Sequence, residues 1–343
     1  MKNNGESPRL PRQAQEKAIF FLHPILKERI WGGNRLVTEF PYGKPGGKLP
    51  ASGIGECWAV SAHQHGDCLV TQDGGAQPSG MTLSQLYARR RELFGNLAAQ
   101  DFPLLVKVID AREDLSIQVH PDDVYARENE GGSLGKTECW YIMDCPEDAR
   151  LVIGHHARTR QELREMIGQG RYGELIREIP VRKGDLIQIA PGTVHAVKAG
   201  FLILETQQSS DVTYRVYDYG RLEDGAPRKL HVCQSMEVIR VPDDTGDQAV
   251  RHCAGLPANR KNLLVECDYY KVWKLTVERE AAIVQDEPFL ILSVLEGSGA
   301  VDGRPVAKGS HLLLPYGYGE VSFAGEMELI LSTAAGQGVP AGR

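Results

Sequence analysis

Along most of the chain, apolar positions recur at every second residue in short runs cut by Gly, Pro and Asp. CWAVSAH, PLLVKVID, LSIQVH, CWYIMD, ARLVIG, DLIQIAP, FLILETQ and VTYRVYDY all read as β-strands on that period. Two stretches break the rhythm with a period of about 3.6 residues. In the first, Thr82 caps a predicted helix through LSQLYARRRELFG, where Leu83, Leu86 and Leu93 recur at helical spacing. The second runs from Thr159 to Ile179 and opens on a Thr-x-x-Glu capping box at Thr159 and Glu162. Gly168 and Gly170 are expected to split it into two short helices.

The same patterning divides the chain. Residues 242–262 are polar, carry Gly and Pro and show no apolar period, so they read as a linker. A flexible tail is expected over 1–17, a larger domain with helical insertions over 18–241, and a compact one over 263–343. The two halves resemble each other. KGDLIQIAPGTVHAV, from Lys183, matches KGSHLLLPYGYGEV, from Lys308, in its Lys-Gly start and alternating apolar positions, with a second Gly eight residues after the first. Lys-Gly-Asp followed by a strand and a Pro-Gly turn is the pattern of a cupin, a small antiparallel jelly roll. The expected fold is therefore mainly β, a duplicated cupin whose first copy is interrupted by helices.

Composition narrows the function classes. A net charge of −6 over 343 residues carries no basic bias, which argues against nucleic acid and anionic membrane surfaces as partners. No apolar run approaches the roughly 18 residues of a membrane span, and MKNNGESPRLPRQAQEK lacks the apolar core of a signal peptide. Seven Cys at irregular spacing, with no CxxC pair, point to reduced thiols in a cytoplasmic protein.

Against this background a few polar residues stand out. In SIQVHPDD, Gln118 and His120 share one strand face, and Ser116 shares it too. Glu138 opens the strand ECWYIMD just after Lys136. His195 follows the Pro-Gly turn, and Glu205 and Arg215 lie on the next two runs. A jelly roll brings such distant residues onto one inner face, so Gln118, His120, Glu138 and His195 are expected to converge. Two imidazoles, a carboxylate and an amide oxygen suit a divalent metal such as zinc, with iron and manganese also accommodated. In the second half Glu320 stands where His195 sits and Leu290 where Glu138 sits, so that copy is expected to be metal-free and structural. Asp122 and Asp123 are expected to cap a turn or helix. Arg221 and Lys229 are expected at the surface. His63, His65, His155 and His156 carry no positional argument for a ligand role.

FPLLVKVIDAREDLSIQVHPDD, GKTECWYI, APGTVHAVKAGFLILETQQSSDVTYRVYDYGR and PILKERIWGG resemble the type I mannose-6-phosphate isomerase family, in its short bacterial form. The resemblance is dense over residues 19–240 and one of pattern beyond. It implies a zinc-dependent cupin enzyme interconverting mannose 6-phosphate and fructose 6-phosphate through an enediol, with one zinc per chain. The family's ligands map to Gln118, His120, Glu138 and His195, and its active-site arginine to Arg215. Where longer members carry Asn-Val-Val-Arg, this chain has Val-Thr-Tyr-Arg. Ser116, Lys136 and Arg215 are the implied substrate-binding residues. Lys136 faces the phosphate or transfers a proton. Glu205 acts in acid–base chemistry or ring opening, or else orients His195 or Arg215. The competing readings are another metal-dependent cupin such as an iron dioxygenase, and a non-catalytic sugar-binding cupin.

Overall fold

The computed structural model describes residues 17–42, 53–72, 80–223 and 225–335, so all but the last residue of the expected tail lies outside the described residues. A seven-stranded antiparallel sheet organises the molecule. Its order is Val250–Arg251, Leu186–Ile189, Glu138–Asp144, Leu202–Gln208, Leu104–Asp110, Ile54–Val60, Ile25–Gly33. Because side chains alternate along each strand, the sheet has two different faces. Val106, Val108, Cys139, Tyr141, Leu202 and Leu204 fill one face and pack with Ile291, Leu313 and Ile330 from the C-terminal strands. Ile109, Trp140, Ile142, Ile187 and Ile203 line the other, packed with Leu151 and Ile153 of a second sheet.

That second sheet is five-stranded, ordered Ile176–Pro180, Arg150–His155, His195–Ala196, Ile117–Val119, Tyr214–Tyr217. The two sheets make the cupin sandwich. Leu163, Met166 and Ile167 of the helix Arg160–Gly168 cover the outer side of the smaller sheet. A third sheet of eight strands holds the C-terminal segment, and Phe20–His23 and Leu69–Gln72 extend it from the N-terminal half. The C-terminal strands therefore share a sheet with residues N-terminal to the expected linker.

The helical expectations hold with one correction. Thr82 caps Leu83–Arg89 through the backbone N–H of Gln85, and a 3₁₀ turn, Arg91–Phe94, ends at Gly95 in the left-handed region. Thr159 caps Arg160–Gly168, and a second short helix, Tyr172–Leu175, follows the break at Gly168–Gly170. The expected continuation to Ile179 does not form. Ile176–Pro180 is instead a strand paired with Arg150–His155, because the apolar Ile179 is drawn onto a sheet edge where it packs with Leu151. In the expected linker, Val250–Arg251 pairs with Leu186 and Ile187, so part of that segment is sheet edge. Asp122 caps the helix Asp123–Asn129, as its position after Pro121 suggests. No helix among the described residues is long and apolar enough to cross a membrane.

The central sheet depends on its apolar outer face for stability. Leu204→Ala, at a residue 1% exposed, is expected to cost ~2–5 kcal/mol in urea unfolding. Leu263→Ala, at a residue 40% exposed in the same protein, is expected to cost less than about 0.5 kcal/mol.

Candidate metal and substrate site

Strand register in the five-stranded sheet assembles one half of the site. Gln118 lies directly opposite His195 on one side and Arg215 on the other. Directly opposed residues share a face, so the three form a row, with Ser116 and His120 two residues either side of Gln118. His120 sits one residue past its strand, where Pro121 ends the ladder. The Pro191–Gly192 turn fixes both imidazoles. Gly192 N–H donates to the His120 carbonyl at 2.9 Å, and His195 begins its strand three residues later. Gly192 has φ +82°, and a Cβ there would meet the Val238 carbonyl oxygen at 2.8 Å, so only glycine fits.

The central sheet supplies the facing half. Trp140, Glu205, Lys107 and Trp58 are successive cross-strand neighbours in one row, and Glu138 stands opposite Gln207 in the next. Lys136 enters beside Glu138 because its backbone N–H donates to the Pro121 carbonyl at 3.0 Å, which ties GKTE to SIQVHPDD.

The two halves meet at one point. His195 Nε2 lies 3.2 Å from His120 Nε2 and 3.3 Å from Glu138 Oε1, and His120 Nε2 lies 3.6 Å from Glu138 Oε2. Gln118 Nε2 is 3.3 Å from His195 Nε2, and turning its amide over would place the oxygen there. His120, Glu138 and His195 are each at most 1% exposed. The Nδ1–H of His120 donates to the Val212 carbonyl at 2.8 Å, and that of His195 to the Thr193 carbonyl at 2.9 Å. Both Nε2 lone pairs are therefore aimed inward, in the tautomer that a metal-binding imidazole needs. Neither Glu138 oxygen has a well-formed hydrogen bond, although Lys136 Nζ stands 2.6 Å from Oε2. Two inward imidazole lone pairs beside an orphaned buried carboxylate fit a divalent cation.

Burial sets the charges here. Desolvation pushes His195 down to about 4 and His120 well below its ordinary value, so both rings are neutral. Desolvation and the Glu205 charge lift Glu138 to about 7 against the pull of Lys136, a penalty that a bound cation would remove. Burial works to raise Glu205, but Lys107, Lys136 and the Trp140 N–H outweigh it and hold the carboxylate down at about 2. Burial likewise works to lower Lys136, but Glu138 and Glu205 hold it up at about 12. Glu205 is locked by Lys107 Nζ at 3.0 Å and Trp140 Nε1 at 3.0 Å.

Arg215 reaches the site with a buried Nε that has no hydrogen-bond partner, and burial followed by the Arg228 charge lowers its affinity for its proton. Ser116 Oγ lies 3.4 Å from Gln118 Oε1. Arg221, expected at the surface, is partly buried against the Asp218 carboxylate, whereas Lys229 is exposed. Lys107, Trp58 and Glu56 were absent from the sequence reading. Their signal was a lysine in the apolar run PLLVKVID and a Trp two residues after a Glu, with Trp58 Nε1 donating to Glu56 at 2.8 Å. A cleft of about 830 Å³ lies to one side, and none of His120, Glu138 and His195 lines it.

Comparison with known proteins matches the chain to one family. Residues 19–143 match the model of the phosphomannose isomerase type I catalytic domain, and residues 260–334 that of the mannose-6-phosphate isomerase cupin domain. The chain is 46% identical over 317 residues to mannose-6-phosphate isomerase ManA of Bacillus subtilis, covering 91% of this chain and 98% of that protein. A crystal structure of the mannose 6-phosphate isomerase from Bacillus subtilis superposes with TM-score 0.81 at 41% identity, over 93% of this chain and 100% of that one. A zinc-bound mannose 6-phosphate isomerase shares the fold with TM-score 0.69 at 13% identity, over 92% and 99% of the two chains. The chain belongs to the type I phosphomannose isomerase family.

The buried charge row generates a stability test. Lys107→Met leaves Glu205 charged without its nearest ammonium and is expected to cost ~3–5 kcal/mol in urea unfolding. Adding Glu205→Gln to that variant is expected to recover part of the loss, since no buried carboxylate then lacks its partner.

Proposed function

We propose that His120, Glu138 and His195, with Gln118 as a fourth donor, hold one zinc ion per chain at the centre of an isomerase site. The chain is an aldose–ketose isomerase that interconverts mannose 6-phosphate and fructose 6-phosphate. The observation that carries the assignment of roles is the buried meeting point of two inward imidazole lone pairs and an orphaned carboxylate, with Lys136 and Arg215 beside it. Residues 18–241 are read as the catalytic unit, and 263–343 as its metal-free companion. One isomerase metal site per chain follows from the duplicated pattern, where Leu290 is core and Glu320 is exposed.

Isomerisation shifts a proton between C2 and C1 through an enediol, and negative charge develops on the two sugar oxygens. Zinc, when bound, supplies Lewis-acid polarisation of a sugar oxygen or an activated water. The chain's own groups have separate work. Lys136 Nζ, kept protonated by Glu138 and Glu205, presents a cationic N–H donor to a sugar oxygen. Arg215, whose Nε has no protein hydrogen bond, is free to bind the anionic enediolate or hold the phosphate. Ser116, on the same strand face, offers a hydroxyl to the phosphate. Glu205 acts as the positioning counter-ion of Lys136 and Lys107, because a carboxylate held at about 2 does not take up protons near neutrality. The oxygenase reading is not favoured. Buried cations beside the ligands suit an anionic sugar phosphate, whereas an oxygen-binding pocket is apolar.

Purified protein incubated with fructose 6-phosphate is expected to form mannose 6-phosphate. Chelation should abolish the reaction and zinc should restore it, and a zinc-loaded sample that forms no mannose 6-phosphate defeats the assignment. His120→Ala is expected to lose the metal, measured by elemental analysis. Arg215→Ala is expected to keep it while kcat falls by about 100-fold or more. Equal metal loss in both variants would undo this division of roles.

A further inference from the structure

The geometry points to a second divalent-cation site, formed by His63, His65 and Asp211 at the edge of the cleft of about 830 Å³. His63 and His65 belong to a tight hairpin, Ala62–His63 paired with Gly66–Asp67, and Asp211 belongs to the loop before the strand Tyr214–Tyr217. One ligand atom from each of the three lies within 4.8 Å of the others. Asp211 presents Oδ2 to His65 Nδ1 at 2.6 Å and Oδ1 to His63 Nε2 at 3.6 Å.

The Asp211 carboxylate and two imidazoles supply the donors, set against the ammonium groups of Lys27 and Lys107 near His63. His63 packs edge-on against Trp58 with a side chain 12% exposed, and burial lowers its affinity for a proton, which leaves a neutral ligand. His65 is 61% exposed, so water can complete the coordination sphere. His63 and Asp211 open onto the cleft of about 830 Å³, whose described lining carries Asp67, Asp101 and Asp123 against the single cation Arg127. Lys27 Nζ bonds the His65 carbonyl at 2.5 Å and sits over the Trp58 ring, so it anchors the hairpin through its backbone. Coordination through His63 Nε2 moves the ring proton to Nδ1 and costs the 3.2 Å bond that this nitrogen accepts from the His65 N–H. Two imidazoles and one carboxylate with open positions suit zinc, cobalt or nickel, not calcium or magnesium. An ion here would clamp the hairpin to the loop whose Val212 carbonyl orients His120.

The test compares full-length wild type with His65→Ala and Asp211→Asn. Each is saturated with zinc, desalted and counted by elemental analysis. Wild type is expected to hold one zinc per chain more than either variant, a difference that does not depend on how many ions the inner site binds. With the inner site already zinc-loaded, titration with Co²⁺ is expected to give a visible absorption band in wild type. Its apparent affinity should be weaker by about tenfold or more in His65→Ala, since loss of even an outer partner of a metal ligand costs that much. Equal zinc content and equal cobalt binding in wild type and His65→Ala overturn the proposal. So does a second ion that persists in both variants. His65 is exposed and its removal leaves the core intact, so that variant decides the matter if Asp211→Asn folds poorly.

Discussion

Charges buried on a sheet face persist only as a chain of pairs, and the rest of this site is arranged around that requirement. Lys107, Glu205, Lys136 and Glu138 alternate in sign across the inner face of the central sheet, each at most 5% exposed. A buried carboxylate or ammonium without its partner carries a desolvation penalty of several kcal/mol, so no member can be omitted cheaply. The two indoles complete the arrangement. Trp140 donates to Glu205 and Trp58 to Glu56, which satisfies carboxylate oxygens while filling the volume between the sheets. The last carboxylate in the chain, Glu138, is the one whose oxygens are left without well-formed bonds, and that end faces the imidazoles. The row thus ends on a carboxylate paired with Lys136 on one side and facing the two imidazoles on the other.

The facing sheet answers with neutral groups. His120 and His195 are kept neutral by burial, and their Nδ1–H groups are spent on backbone carbonyls. Placing two neutral rings opposite a charged row avoids stacking further charge into the same volume. Arg215 is the exception, and its place is at the border of the smaller sheet, where it is partly buried. A guanidinium does not lose its proton under any ordinary condition, and the buried Nε of Arg215 has no protein hydrogen bond. The division gives the site a fixed polarity: two neutral imidazoles and a carboxylate at the centre, cationic side chains beside them.

Much of this was legible in the sequence, and what was not has a common cause. Gln118 with His120, and Glu138 with Lys136, are local pairs two residues apart, and each pair sits at the end of one strand. His195 was visible through its Pro-Gly turn. The capped helices were equally plain, because capping is a contact within four residues. Lys107 was hidden inside PLLVKVID, where a lysine in an apolar strand reads as an exception until Glu205 is known to lie opposite it. That partner is 98 residues away and set by register, which no local pattern encodes. Ile176–Pro180 was misread for the same reason: its apolar residues fit a helix in isolation, and only the free edge of Arg150–His155 makes them a strand.

The central sheet carries the Lys107–Glu205 pair on one face and an apolar cover on the other. The central sheet is buried on both faces, so its outer face needs an apolar cover as large as the one that closes the site. The C-terminal strands supply that cover, and Phe20–His23 runs beside His311–Pro315 within their sheet, so the cover is woven into the N-terminal half. Lys274 and Glu328 reach the Tyr141 hydroxyl at 2.8 and 2.7 Å, which ties the two sheets through a polar contact at the interface. A surface committed to such packing cannot also keep buried, half-satisfied ligands without weakening the interface it forms. At the position matching Glu138 the second copy holds Leu290 in its core, and at the position matching His195 it holds the exposed Glu320. The N-terminal half keeps its buried charges on a sheet whose other face the C-terminal strands cover.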